Sequence, residues 1–417
     1  MSFRFRCHHC GQKIRANERY AGRSAQCPRC RTRLLIPAPA SDRPVEPEQR
    51  RPAAPPRRGA PVDDEPEVSP LPDISLSPLF SPLPVPQPVR PWPGSLGVKF
   101  AYPAKRRIRV AVIGAGAVGG FYGAKLARIG HDVHFLMRRD LEAVRKGGLR
   151  IVSSDGDFHL SAAAHESPEQ IGPVDLVICA LKTTSMDQAE QLIRPCVGPE
   201  THIMALMNGL GIEEQFGRWF GPERIMGGLA FTCINRGQPG VLYHRAYGRV
   251  TFGHLQDNLE EARAAAAMFA EAGIETHVAE SLNQARWEKL VWNVPFNALS
   301  VSAGAVSTQR IIEDAGLQEL ARALMAETIA AGNACGCTID ADPMITKMFA
   351  QTGTMGHYKT SMLVDFEQRC PLEVDAIIGE PVRRAQAAGL AVPQMDMQYH
   401  LVRHLDLVNR GLVSRYD

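Results

Sequence analysis

The chain has 417 residues and a net charge of +3, and this length predicts more than one domain. It contains no run of about 18 uncharged apolar residues, so we expect no membrane span, and the opening MSFRFRC lacks the apolar segment of a signal peptide. Six of the ten cysteines are scattered, which favours the reducing cytoplasm over a disulfide-bonded protein.

Residues 1–37 contain two C-x-x-C pairs, Cys7 with Cys10 and Cys27 with Cys30. This spacing is typical of a structural zinc site with four thiolate ligands. A segment this short cannot bury a sufficient core without a metal or a disulfide. We therefore predict a zinc ribbon that holds one Zn²⁺, with a decayed ribbon or a redox pair as the alternatives.

The predicted ribbon is also strongly basic, with nine basic residues and one acidic residue. Such a surface could contact nucleic acid or another acidic partner, or it could simply be solvated. Because no aromatic platform accompanies the charge, we favour the solvated surface over a nucleic-acid partner.

Residues 38–105 contain most of the chain's 31 prolines. This composition favours extended polyproline conformations and cannot form a packed core. We predict a mostly disordered, proline-rich linker between the ribbon and the remainder of the chain.

The sequence from Arg107 onward alternates between predicted strands and helices. A short apolar run predicts a buried parallel strand, and a G-x-G-x-x-G turn follows it and opens a predicted helix, as in dinucleotide-binding domains. The first glycine permits the tight bend, the second lets the backbone approach a pyrophosphate, and the third lets the helix pack on the strand. The alternative is a tightly packed turn that binds nothing. The predicted cofactor-binding residues of the turn are Gly114, Gly116, Ala117, Val118 and Gly119.

The residues after the second predicted strand indicate which dinucleotide is bound. An NAD-selective domain places an acidic residue there to hold the ribose 2′-hydroxyl. This chain has Arg138 and Arg139 instead, as a 2′-phosphate would require. We therefore predict NADPH, with two solvated arginines as the alternative, and we interpret Asp140 as the N-cap of the next helix.

Later segments complete the predicted α/β domain. A long apolar run predicts a central strand, and Lys182 follows at its C-terminal end, where doubly wound sheets bind ligands. The stretch 227–253 predicts antiparallel strands, and 276–278 predicts a last strand. Residues 106–280 are therefore predicted to form a Rossmann domain.

Residues 281–417 are predicted to form an all-α C-terminal domain. Lys289, Asn293 and Asn297 are spaced i, i+4 and i+8, so they share one face of a helix. Three polar residues between large apolar ones are unusual for a plain core face. Pro295 is expected to kink or interrupt this helix.

These motifs together resemble the ketopantoate reductase (2-dehydropantoate 2-reductase) family. The resemblance covers about residues 107–405 and leaves out the ribbon and the linker. It implies a Rossmann domain followed by a helical domain, with the active site in the cleft between them. The matching pieces are GAGAVGG, the arginine after the second strand, LK at 181–182, NGLG at 208–211, WEKLVWNVPFNALS at 287–300 and SMLVDFEQRCPLEVDAIIG at 361–379.

The resemblance also implies roles for individual residues. It places the family's catalytic lysine on Lys289 and its active-site glutamate on Glu373. Three residues before Ser361, where some members have a substrate-contacting asparagine, this chain has Tyr358, so the identity of the acid stays open. Contacts to both cofactor and substrate are implied for Lys182 and Asn208, and contacts to substrate for Asn293, Asn297, Ser361 and Glu373.

The implied reaction is the NADPH-dependent reduction of 2-dehydropantoate to pantoate, a step in pantothenate and coenzyme A synthesis. Reduction of a 2-oxo acid requires a proton on the carbonyl oxygen, which an ammonium can polarise and then protonate. Lys289 lies among tryptophans, and burial lowers the pKa of a lysine. Glu373 could hold either Lys289 or the product hydroxyl.

Two other functions remain as alternatives. One is an NADPH-dependent reductase of another 2-oxo acid, and the other is a zinc-ribbon regulatory protein whose Rossmann domain senses NADP(H). Lys289 and Glu373 argue against the second, because a sensor needs no general acid. We expect a small-molecule 2-oxo acid as the substrate and a cytoplasmic location, and a homodimer is compatible with the sequence.

Overall fold

The computed structural model describes residues 2–6, 13–17, 24–26, 33–35, 99–103 and 107–414. The chain divides into two compact units, Met1–Ser81 and Pro82–Asp417. The described part of the first unit forms two antiparallel hairpins, β1–β2 and β3–β4. Cys7, Cys10, Cys27 and Cys30 lie outside the described residues, so the zinc ribbon stays a prediction. The four strands are β1 Ser2–Arg6, β2 Lys13–Asn17, β3 Ser24–Gln26 and β4 Arg33–Leu35.

The second unit contains a sheet of ten strands in the described residues. Its strands are β5 Arg109–Ile113, β6 Asp132–Leu136, β7 Leu149–Ser153, β8 Phe158–Leu160, β9 Ala163–His165, β10 Val174–Cys179, β11 Val197–Ala205, β12 Ile225–Arg236, β13 Val241–His254 and β14 Thr276–Val278. Six of them are parallel in the order β9-β6-β5-β10-β11-β12. This is the strand order of dinucleotide-binding domains, in which the crevice at the centre of the sheet binds the cofactor.

An antiparallel extension completes the sheet. Strand β13 runs antiparallel to β12, and its other edge pairs with β7 and β14. The predicted antiparallel strands and the predicted last strand are therefore confirmed. Strands β7 and β8 form a further hairpin that the sequence analysis did not predict.

Five helices lie between the strands of the sheet. They are α1 Ala117–Arg128, α2 Leu141–Gly147, α3 Met186–Ile193, α4 Ile212–Phe220 and α5 Leu259–Glu271. Helix α1 packs so closely on β5 that a Cβ at Gly119 would lie 2.5 Å from the Gly114 carbonyl oxygen and 3.0 Å from Val112. The third glycine of the turn thus has the packing role that the sequence predicts.

Residues 99–103, at the end of the predicted linker, pack against the α/β domain. Phe100 and Tyr102 are 6% and 4% exposed. The Phe100 backbone N–H donates to the buried carboxylate of Glu261, and the Phe100 ring contacts His202 edge to face. The apolar rings explain why this end of the proline-rich segment joins the domain.

All described elements after β14 are helical. They are α6 Leu282–Ser302, α7 Thr308–Glu313, α8 Ala315–Ala334, α9 Ala341–Gly353, α10 Ser361–Glu367, α11 Glu380–Ala387 and α12 Pro393–Asn409, with a π-helical turn at Asp375–Gly379. An α/β domain followed by a helical region is therefore confirmed. Within the described ranges, none of the helices has both the length and the apolar character needed to cross a membrane.

Helix α6 is the central helix of the C-terminal region and packs mainly against α8. Trp287 is fully buried between them, and Gly332 of α8 leaves room for its ring, since a Cβ there would lie 3.2 Å from Trp287. Losing a side chain of this size from a core costs about 3–5 kcal/mol, so the burial of Trp287 strongly stabilises the packing of α6 on α8. The helix continues through Pro295, so the predicted interruption is wrong.

Candidate active site

Three predicted site segments meet at the C-terminal edge of the parallel strands. The glycine turn follows β5, Lys182 follows β10, and Asn208 follows β11. The three strands are neighbours, with Cys179 paired to Ile113 on one side and to Ala205 on the other. Because parallel strands end at the same edge, the topology brings these segments together.

The glycine turn has the geometry of a dinucleotide site. Gly114 has φ +90°, and a Cβ there would lie 2.7 Å from the Leu181 nitrogen, so only glycine fits. A Cβ at Gly116 would meet only the Gly114 oxygen, at 4.0 Å, so the protein's own packing does not require this glycine. No side chain caps α1, and its first turn has no acidic residue. The open space and the uncapped N–H groups both fit a bound pyrophosphate.

The arginines after β6 and Asp140 lie where the sequence predicts them, but the Asp140 side chain does not cap the helix. Arg138 and Arg139 are exposed, just beyond the end of β6. Asp140 occupies the N-cap position of α2, yet its carboxylate makes no capping hydrogen bond. It accepts a hydrogen bond from Arg236 at 2.7 Å instead. The predicted N-cap position is therefore confirmed, but the capping hydrogen bond is not formed, since the ion pair with β12 orients this carboxylate.

Lys289 lies on α6 and points to the sheet edge, where its position is fixed by two hydrogen bonds. Its Nζ donates to Oδ1 of Asn208 at 2.8 Å and to the carbonyl oxygen of Ala230, on β12, at 2.9 Å. An ammonium has three N–H groups, so one remains for another acceptor.

The surroundings of Lys289 change the acidity of its ammonium. Burial, and next the charge of Arg286, lower the pKa of Lys289 to about 7, against the opposing influence of Glu373 and Glu213. A pKa near neutrality allows an amine both to hold a proton and to release it at physiological pH, which suits a general acid.

Glu373 is held by Thr183 and does not contact Lys289. Its Oε1 accepts hydrogen bonds from the Thr183 backbone N–H at 2.9 Å and from the Thr183 hydroxyl at 3.0 Å. Within the described residues no hydrogen bond occupies Oε2. Burial raises the pKa of Glu373, while Thr183 and Lys182 oppose the shift. Two partners were predicted for Glu373, Lys289 and the product hydroxyl, and the direct contact with Lys289 is wrong. Glu373 influences Lys289 through its charge instead.

Lys182 forms an ion pair with Asp365 of α10. The Lys182 side chain is 48% exposed, whereas that of Asp365 is 11% exposed. Burial raises the pKa of Asp365, and the hydrogen bond from Lys182 opposes this shift. This contact and the Thr183–Glu373 contact both join the end of β10 to the helical region.

The remaining predicted substrate residues differ in their surroundings. Asn297 is 2% exposed; its Nδ2 donates to the Asn293 carbonyl oxygen at 2.9 Å and its Oδ1 accepts from the Met362 N–H at 3.3 Å. It thus connects α6 to α10. The side-chain amide of Asn293 has no hydrogen bond within the described residues, and Ser361 is exposed at the start of α10.

Aromatic rings form a wall beside these residues. The Tyr358 ring lies 6.3 Å from that of Trp292, which in turn lies 5.1 Å from Phe296. Burial raises the pKa of Tyr358 to about 12, with Cys233 and Tyr247 as smaller contributors, so its hydroxyl stays protonated at neutral pH.

Sequence reasoning missed several residues around the site. Thr183 and Asp365 hold Glu373 and Lys182, and a buried pair of Arg286 and Glu213 lies next to Lys289. Two signals were available: Thr183 directly follows Lys182, and Arg286 lies three residues before Lys289, on the same helix face. Among the described residues no cluster of histidine, cysteine and carboxylate side chains could hold a metal ion.

Comparison with known proteins identifies the family of the chain. Residues 110–257 match the family model described as ketopantoate reductase PanE/ApbA, and residues 281–406 match the model of its C-terminal part. A 2-dehydropantoate 2-reductase of Nostoc sp. is 38% identical over 309 residues, which is 72% of this chain and 96% of the relative. Both family models fall within the second compact unit.

Solved structures show the same similarity. A 2-dehydropantoate 2-reductase from Geobacter metallireducens is 43% identical, with a TM-score of 0.69, and the match covers 71% of this chain and 99% of that one. A D-mandelate dehydrogenase solved with NADH and anilino(oxo)acetate is 21% identical, with a TM-score of 0.67 over 72% of this chain and 99% of its own, and it shares the fold alone. The chain therefore belongs to the ketopantoate reductase PanE/ApbA family.

Proposed function

We propose that the protein reduces 2-dehydropantoate to pantoate with NADPH. The observation that carries this proposal is the placement of Lys289, whose Nζ is held by Asn208, just after β11, and by Ala230 of β12, with one N–H left for a substrate. The family membership and the names of the relatives support the same reaction.

In this proposal the chain's residues bind the keto acid and supply the proton. NADPH, when bound on the glycine turn, supplies the hydride. The free N–H of Lys289 donates to the substrate's carbonyl oxygen, polarises it, and transfers the proton as the alkoxide forms. The fixed bonds to Asn208 and Ala230 hold the ammonium in place before the reaction, so little reorganisation is needed.

The other proposed contacts orient the substrate. Oε2 of Glu373 is available to accept a hydrogen bond from the terminal hydroxyl of 2-dehydropantoate, since Thr183 occupies the other oxygen. The amide of Asn293 and the hydroxyl of Ser361 are proposed to bind the polar groups of the acid, and Asn297 to support them from the core. Lys182 is proposed to attract the carboxylate and to contact the cofactor, together with Asn208.

A panel of keto acids tests the proposed substrate. NADPH oxidation is followed with 2-dehydropantoate, with 2-oxoisovalerate, which lacks the hydroxymethyl group, and with benzoylformate, which is aromatic. A site that hydrogen-bonds a hydroxyl rejects the analogue without it, so we expect kcat/KM to be at least about a hundredfold higher for 2-dehydropantoate than for 2-oxoisovalerate. The Tyr358–Trp292 wall supports the second candidate, an aromatic 2-oxo acid, and a preference for benzoylformate would establish that candidate instead.

The choice of NADPH over NADH is proposed to depend on Arg138. Its exposed side chain at the end of β6 is available to a 2′-phosphate. A hydrogen bond to a charged group contributes about 1.5–3 kcal/mol, so Arg138→Ala should weaken NADPH binding about 10–100-fold and leave NADH binding nearly unchanged. Fluorescence titration with both cofactors measures this, with Arg263→Ala, at an exposed arginine of α5, as the control. Equal losses for the two cofactors would mean that Arg138 is structural.

The remaining proposals concern the whole chain. We propose that Cys7, Cys10, Cys27 and Cys30 bind a structural Zn²⁺; their spacing supports this, as does their place in the sequence between the paired strands of the two hairpins.

We also propose a homodimer, supported by Met397 and Leu401, which are exposed one turn apart on α12. A cytoplasmic location is supported by the six described cysteines, which form no disulfide.

A further inference from the structure

A buried ion pair lies one helical turn from Lys289. Arg286 on α6 pairs with Glu213 on α4, and both side chains are 3% exposed. The guanidinium also donates to the Met207 carbonyl oxygen at 2.7 Å and to the Ala205 carbonyl oxygen at 3.3 Å. Arg286 therefore contacts three points on the segment 205–213, which carries Asn208.

The fold makes room for this pair at a specific place. A Cβ at Gly227 of β12 would lie 2.7 Å from the carboxylate of Glu213, so a larger residue there would displace the carboxylate. Burial raises the pKa of Glu213, and the charge of Arg286 opposes this shift. An ion pair so deeply buried is a costly way to stabilise a fold, because apolar residues of similar volume often do so equally well. This cost indicates a role for the pair beyond stability.

Arg286 links the two segments that carry the Lys289–Asn208 hydrogen bond, helix α6 and the segment 205–213. Arg286 is on the same helix as Lys289, three residues away, and its guanidinium is bound to the segment of Asn208. We propose that Arg286 and Glu213 are positioning residues that hold Lys289 against Asn208 and tune its ammonium with two opposing charges. This inference rests on the proposed role of Lys289 as the proton donor.

The charged groups around Lys289 give this proposal a distinctive signature. Arg286 on α6 lowers the pKa of Lys289, whereas Glu213 on α4 and Glu373, before the π-helical turn, raise it. Removing the positive charge should therefore raise the pKa of Lys289, and removing the negative charge of Glu213 should lower it. A pair that only stabilised the fold would not shift the two single variants in opposite directions.

The test measures the titration of Lys289 directly, in the full-length protein. Competitive labelling with acetic anhydride, followed by mass spectrometry of the Lys289 peptide, gives the fraction of neutral amine at each pH. Two unit charges about 10 Å apart in a protein shift each other's pKa by about one unit, so we expect midpoint shifts of that order. Arg286→Met should shift the midpoint to higher pH, Glu213→Gln to lower pH, and the double variant R286M/E213L should return it close to the wild-type value.

Steady-state kinetics provide the second measurement. The protonated amine is the proton donor, so kcat/KM should fall as pH rises through the labelling midpoint of Lys289. In each variant the pH at which kcat/KM falls should shift together with that midpoint. Arg286→Lys keeps the charge but cannot reach all three acceptors. We expect it to leave the midpoint nearly unchanged and to lower kcat about tenfold or more, because Lys289 is less well positioned.

A matched control comes from the adjacent residue. Glu214 of α4 pairs with Arg384 of α11 at 2.7 Å, so this pair also joins α4 to the helical region without contacting segment 205–208. Glu214→Gln should leave the Lys289 midpoint unchanged. Circular dichroism checks the fold of each variant. If R286M does not fold, the labelling midpoints of E213Q and of the double variant test the inference.

Shifts of R286M and E213Q in the same direction, or no shift in either, would overturn the inference. So would an Arg286→Lys variant with wild-type kcat. The labelling needs no substrate, so its outcome is separate from that of the proposed function. If no keto acid is reduced by the wild type, the proposed function fails, while the midpoints still report whether the pair tunes Lys289.

Discussion

Replacing Lys289 with alanine is expected to lower kcat for 2-dehydropantoate by about 10²–10⁴-fold, the usual contribution of a positioned proton donor. The variant loses the N–H proposed to donate to the substrate, and Asn208 and Ala230 lose their shared donor. NADPH should still bind with nearly wild-type affinity, because the proposed cofactor contacts lie mainly on the glycine turn after β5. Absorbance assays give kcat, and fluorescence titration gives the cofactor dissociation constant.

Lys347→Ala is the matched control, since Lys347 is an exposed lysine on α9. Its kcat and cofactor affinity should equal those of the wild type. A Lys289→Ala enzyme with near-normal kcat would refute the assignment, and the proton would then have to come from Lys182 or from water. A parallel loss of NADPH binding would instead indicate a structural role for Lys289.

Replacing Glu373 with glutamine is expected to raise KM for 2-dehydropantoate and to lower kcat. The amide oxygen can still accept the two hydrogen bonds from Thr183, so the local fold should persist. The lost group is the charged acceptor proposed for the substrate hydroxyl, which contributes about 1.5–3 kcal/mol. The combined effect on kcat/KM should therefore be about 10–100-fold, and 2-oxoisovalerate, which lacks this hydroxyl, should be much less affected.

A double-mutant cycle tests whether Glu373 and Lys289 act together. Glu373 raises the pKa of Lys289 through its charge, although the two do not touch. The double variant should therefore lose less activity than the product of the two single losses. Glu319→Gln, which changes an exposed glutamate on α8, is the control. Two results together would contradict the proposed role of Glu373. The first is a loss of activity in the double variant equal to the product of the two single losses, and the second is an equal loss for both keto acids.

The sequence predicts the elements of this fold well because they are specified locally. The glycine turn, the arginines after β6 and the alternation of strands and helices are encoded in neighbouring residues. Pro295 shows the limit of local reasoning: a proline inside a helix predicts a kink or an interruption without deciding between them, and α6 continues through it.

Predicting the site from sequence was limited by contacts between distant residues. The Thr183 N–H and Glu373 are 190 residues apart, and Lys182 and Asp365 are 183 apart. No periodicity or spacing encodes such partners, so the sequence alone could not show that Glu373 contacts Thr183 rather than Lys289. The Arg286–Glu213 pair, 73 residues apart, was missed for the same reason.

The packing of Phe100 and Tyr102 determines where the N-terminal extension can be removed. Both rings are buried in the α/β domain, although the matched family region begins only at residue 110. A fragment starting at Arg107 would lack both rings, and each such loss from a core costs about 3–5 kcal/mol. A stable fragment therefore has to keep both rings and start at or before Phe100, and a shorter one would be destabilised for reasons unrelated to the ribbon.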